Sequence, residues 1–124
     1  MKLIKPDTTA TEKWTSKSTD VEIEIRSQPS LREMNNIMSN THELDTFEQN
    51  RFVISCLVTK FITKIFDEND KPIKEIPREE IATNGVCLIE LDFIEMIPPV
   101  LFLELADVCM VKALNVLSGE QVKN

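Results

Sequence analysis

THELDTFEQNRFVISCLVTKFITKIF, residues 41–66, admits two readings, and the choice between them sets the balance of helix and sheet in the chain. As a helix capped by Thr41 or Asp45 it carries Leu44, Phe47, Ile54, Leu57, Val58, Phe61, Ile62 and Ile65 at helical spacing, widened by Val53, Cys56 and Phe66. Its second half is rich in β-branched residues, which lose side-chain freedom in a helix and suit a strand. FITKIF can therefore run as a strand into the DENDK turn and return through PIKEI, a hairpin within 61–76. The spacing over the full stretch favours the long, central helix, with the hairpin as the alternative.

Upstream, DVEIEIR (20–26) alternates, with Val21, Ile23 and Ile25 on one face and Glu22, Glu24 and Arg26 on the other, which predicts a half-buried strand. SQPSLREMNNIMSN (27–40) follows as an amphipathic helix: Ser27 or Ser30 caps it, Pro29 suits its first turn, and Leu31, Met34, Ile37 and Met38 form the apolar face. Residues 1–19 have no sustained period and read as a flexible or surface-hugging arm, in which Trp14 is an anchor to the domain or a contact for a partner.

Downstream, IPREEIATNG (76–85) reads as a short helix opened by Pro77 and closed near Asn84-Gly85. VCLIELDFIEMI (86–97) continues as a helix stopped by Pro98-Pro99, and the last helix starts at or just after Pro99. On that helix Phe102, Ala106, Cys109, Ala113 and Val116 form one row, flanked by Leu101, Leu105 and Val108, while Leu103, Met110, Leu114 and Leu117 make another. A helix apolar on more than one side must be covered on more than one side, by the rest of the core or by another chain. The expected fold is mostly α with a small β element (α+β): about five helices, one or two short strands near the N-terminus, and the alternative hairpin at 61–76. The expected organisation is an arm at 1–19, one globular domain at 20–117 and a polar tail at 118–124.

At 124 residues and 42% hydrophobic, the chain can bury one core of its own. Fourteen basic against twenty-one acidic residues give a net charge of −7, which repels phosphate backbones and anionic lipid heads. Neither nucleic acid nor membrane is expected as a partner. GVCLIELDFIEMIPPVLFL contains Glu90, Asp92 and Glu95 and is broken by prolines, so it reads as core rather than as a membrane span. The N-terminal apolar run is two residues long before Lys5-Pro6, too short for a signal peptide, and a cytoplasmic location is expected.

Cys56, Cys87 and Cys109 sit among apolar neighbours without metal-ligand spacing and read as buried free thiols. The single histidine, His42, lies in a polar capping segment and has no triad to serve. FDENDKP (66–72) begins like a calcium loop but lacks the glycine and the bidentate glutamate, so a solvated turn is expected. There is no glycine-rich phosphate loop. No catalytic, metal or cofactor residues are assigned, and the chain is expected not to be an enzyme.

Three segments, FDENDKPIKEIPREEI (66–81), IPPVLFLELADVC (97–109) and LSGEQVKN (117–124), together resemble the tail assembly chaperones of tailed bacteriophages. DEND stands where such chains commonly have an Asp-Gly turn, and Lys60-Phe61 where they have Trp-Gly. The resemblance implies a small acidic helical protein of the infected cytoplasm that coats the tape measure protein and brings tail tube subunits to it. It also implies two products of different length made by frameshifting, with this chain matching the shorter. A client-binding groove would be lined by Leu101, Phe102, Leu105, Ala106, Cys109 and Met110, with Met34 and Met38, since methionine-rich surfaces repack around varied partners. Self-association into a homo-oligomer, as in a neck or tail-end component of the virion, is one rival reading. An acidic inhibitor of a host or defence protein is the other.

Overall fold

A computed structural model describes residues 1–5, 7–39 and 45–118, with side chains described through residue 114. Helix α2 (Thr46–Leu57) is the centre of the fold. Asp45 caps it, its side chain accepting the Glu48 amide at 2.8 Å; Thr41 lies outside the described residues. Residues 51–58 are all buried, so the apolar residues here are not confined to one stripe.

The helix does not continue to residue 66. Val58 leaves it in an extended conformation, φ −75° and ψ 126°, and begins strand β3 (Val58–Phe61). Two arginines collect the carbonyls at this end. Arg78 donates to Ser55 O at 2.8 Å and Val58 O at 2.6 Å, and Arg26 donates to Cys56 O at 3.0 Å. Cations at a helix C-terminus satisfy its orphan acceptors and complement its dipole. The β-branched residues that follow then pair as sheet.

β3 joins a three-stranded antiparallel sheet in the order β1 (Thr11–Thr15), β2 (Glu22–Arg26), β3. β2 follows the expected alternation: Ile23 and Ile25 are fully buried, with Glu22, Glu24 and Arg26 on the wetter face. Ile25 faces Val58 and Glu24 faces Lys60, so Thr59 is the extra residue of a β-bulge. Its hydroxyl donates to the Glu24 carboxylate at 2.7 Å. Residues 11–15, within the segment read as an arm, form β1, which places Trp14 opposite Ile23 and partly buried against the core.

The β4 (Ile65–Phe66) and β5 (Pro72–Ile73) pair forms the hairpin that the sequence offered as the alternative. The Asp67 carboxylate closes its turn, accepting the Asn69 amide at 2.8 Å and the Lys71 amide at 3.0 Å.

The expected balance of mostly α with about five helices is therefore corrected. The described residues form four helices with a three-stranded and a two-stranded sheet, a more even mixture of α and β. Besides the shortened α2, the expected helix at 76–85 is absent. Arg78 bridges Ile89, and Thr83 and Val86 exchange hydrogen bonds around Asn84 (φ 51°) and Gly85 (φ 80°). Two consecutive residues at positive φ make a tight hairpin turn, a role for which Asn-Gly is favoured, rather than a helix end. Residues 86–90 are not helical either: Val86 and Ile89 form isolated β-bridges, and Ser55 and Arg51 of α2 hold Ile89, whose N–H donates to Ser55 Oγ and whose carbonyl accepts from Arg51 Nε, both at 2.9 Å. Only Leu91–Met96 of the expected 86–97 helix forms, as α3.

α1 (Leu31–Ser39) is opened by a reciprocal cap, in which Ser30 N donates to the Glu33 carboxylate at 2.9 Å and Glu33 N donates to Ser30 Oγ at 3.2 Å. α4 (Pro99–Ser118) packs against α2, and its Glu104 gathers Ser16 Oγ, the Lys17 amide and Ser18 Oγ. That carboxylate fastens the β1–β2 loop to the helix, and Lys112 pairs with Glu12 further along. The expected polar tail, residues 118–124, falls outside the described residues after Ser118.

Glu33 couples this frame to pH. Partial burial raises its pKa, but hydrogen bonds from Arg26 and Ser30 outweigh that and hold the carboxyl below the usual range. A depressed folded pKa contributes stability that is present above the ordinary glutamate value of about 4.3 and is lost as pH falls through the folded value. Glu33→Gln is expected to reduce stability by about 1 kcal/mol at pH 7, with the difference shrinking toward pH 3. Urea midpoints at the two pH values check this, and an equal difference at both overturns it.

A candidate protein-docking groove

The turn between α3 and α4 follows from its prolines. Ile97 precedes Pro98 and is extended, Pro98 O accepts the first α4 amide from Phe102 at 3.0 Å, and Pro99 takes the first helical position, where a missing N–H does no harm. This turn sets the end of α3 and the start of α4 beside the start of α2.

Between them lies an open groove of about 420 Å³. Phe47, Ile94, Ile97, Pro99, Phe102 and Leu103 supply its apolar lining, and Thr46, Asn50 and Glu95 its polar positions. The Phe47 and Phe102 rings stack with centroids 5.5 Å apart. Phe102 is 9% exposed, whereas Phe47 is 39% and Leu103 62% exposed. A further section of about 250 Å³, lined by Asn50, Leu103, Ala106, Asp107 and Met110, extends the groove along α4.

The residues singled out from the sequence separate into two groups. Leu101, Leu105 and Cys109 belong to the chain's own core, and Phe102 and Ala106 stand at the boundary between core and groove. Met110 is half-buried and lines the far section. Met34 is buried on α1 and Met38 exposed on it, and neither lines the groove. Sequence reasoning missed Phe47, Asn50, Ile94 and Glu95 as lining residues and ranked Leu103 below the Phe102 row. The available signal was the second apolar row of α4, in which Leu103 and Met110 line the groove and Leu114 is exposed, while the first row fills the core.

A second cleft of about 390 Å³ lies between the β4–β5 hairpin and α3, with Lys64, Asp67 and Asp70 among its lining. Among the described residues no group of three or more His, Cys, Asp or Glu could hold a metal ion. His42 lies outside the described residues. Cys56 and Cys109 are buried free thiols. Burial pushes Cys56 up to about 12 and Cys109 higher still. Cys87 corrects the expectation of three buried thiols: it is exposed, while its neighbours Val86 and Leu88 turn inward. No helix among the described residues is long and apolar enough to cross a membrane. No protein-family model, curated protein or solved structure matches this chain, so its functional reading rests on its own residues.

Proposed function

We propose that this chain is a non-enzymatic protein-binding module, a phage tail assembly chaperone of the host cytoplasm that binds the tape measure protein and helps recruit tail tube subunits. The observation that carries the reading is the open groove, whose exposed Phe47 and Leu103 offer an apolar client a surface the chain's own core leaves uncovered. The resemblance of residues 66–81, 97–109 and 117–124 to such chaperones supports the choice of client. IPPVLFLELADVC supplies one wall of the groove, from Ile97 through Leu103. A net charge of −7 favours keeping a coated, aggregation-prone client in solution.

Co-expression with the tape measure protein encoded in the same genome tests this. The expected result is a soluble complex with the wild-type chain. A Leu103→Asp variant should keep its far-UV spectrum and thermal midpoint but leave the client in the pellet. A client that pellets with wild type, or is solubilised equally by the variant, overturns the reading. Light scattering coupled to size exclusion separates the rival: a ring-sized species that ignores dilution would mean the exposed rows serve self-contacts of a virion component.

A further inference from the structure

We infer that the groove takes an amphipathic helix whose apolar stripe is flanked by lysine or arginine; this rests on reading the groove as a protein-docking site. Its two sections share Asn50 and Leu103, so they form one trough along the seam of α2 and α4, ending near Met110. From Pro99 to Met110 the trough follows α4 for about 16 Å, the length of about three helical turns. Both walls along the seam are helices, whose interior backbone groups are already hydrogen-bonded within themselves. An extended peptide laid there would bury unpaired N–H and C=O groups, whereas a helix brings its own bonds with it.

The charges choose the flanks. Glu95 lines one end and Asp107 the other, and neither forms an ion pair among the described residues. No lysine or arginine lines either section. A second copy of the chain is a poor occupant, because a two-fold contact through this face would set the same carboxylates against one another on partners that each carry −7. Basic flanks on an apolar helix complement the surface instead.

The probes are two fluorescein-labelled helical peptides of about 14 residues, near four turns. Both carry leucines at i, i+3, i+7 and i+10; one has lysine flanks and the other glutamate flanks. Fluorescence anisotropy with the full chain is expected to show the lysine peptide binding about tenfold more tightly. Glu95→Lys with Asp107→Lys should reverse that order, and the neutral Leu103→Ser should weaken both peptides. Equal binding of the two peptides, still lost in Leu103→Ser, overturns the charge assignment and leaves the groove as a docking site. Binding of the lysine peptide that ignores Leu103→Ser overturns the inference as mere attraction to an acidic surface. Absence of binding to a chain with a normal melt overturns the helix-docking inference, and co-expression then decides separately whether the client is held elsewhere. Concentration-dependent dimerisation abolished by Leu103→Ser overturns it in favour of a second copy.

Discussion

Truncating Leu105 to alanine is expected to destabilise the fold by about 3 kcal/mol and to lower the thermal midpoint by about 10 °C. Leu105 is 1% exposed and lies in the core cluster between Leu101 and Cys109 on the inner face of α4. Removing three carbons from a close-packed site loses their transfer free energy and leaves a cavity that its neighbours close only partly. Leu103→Ala, two positions along the same helix, should stay within about 0.5 kcal/mol, because that side chain is 62% exposed. Chemical denaturation of the pair measures the contrast. Equal losses would mean that α4 is covered on both sides, and the groove would then not be open. The same geometry fixes the choice of groove variants: a charge at Phe102, which is 9% exposed, strikes the core as well as the groove, whereas one at Leu103 strikes the groove alone.

Arg78→Met is expected to lower stability by about 2–3 kcal/mol. Its guanidinium donates to Ser55 O, Val58 O and Cys87 O at 2.8, 2.6 and 3.2 Å. It thereby ties the end of α2 to the segment that returns through residues 86–90. Methionine keeps much of the packing volume but strands those carbonyls and removes one of the two arginines that serve the helix C-terminus. Arg78→Lys should recover less than half of the loss, because one ammonium cannot reach acceptors spread over a planar fork. Urea midpoints for the three proteins test this, and a lysine variant equal to wild type would show that charge alone matters.

Arg78 also marks where sequence reasoning stopped short. The capping of α1 by Ser30 and the alternation of β2 were legible, because each depends on residues within one turn or one pleat of one another. The Asn84-Gly85 turn is legible in principle, since Asn-Gly between short apolar runs is a hairpin signal, but Pro77 followed by the REE triplet is equally the pattern of a helix start. The end of α2 was not legible. Val58, Phe61, Ile62 and Ile65 fit the helical stripe, and what turns the chain out at Leu57 is donors from residues 26 and 78. The groove divides in the same way. That α4 carries two apolar rows could be read from its spacing, but which row is core and which is open could not.

By itself, then, the sequence determined what short-range chemistry controls: the caps, the strand alternation, the proline break before α4, the acidic charge and the presence of surplus apolar surface. Where α2 stops, that residues 86–90 are not helical, that Cys87 faces out, and that Leu103 rather than Leu105 meets solvent all depend on segments distant in the chain. Helix and strand propensities differ by less than about 1 kcal/mol per residue. A guanidinium arriving from a distant segment, or a neighbouring helix covering one face, outweighs such differences, and neither is visible in the spacing of the residues it acts upon.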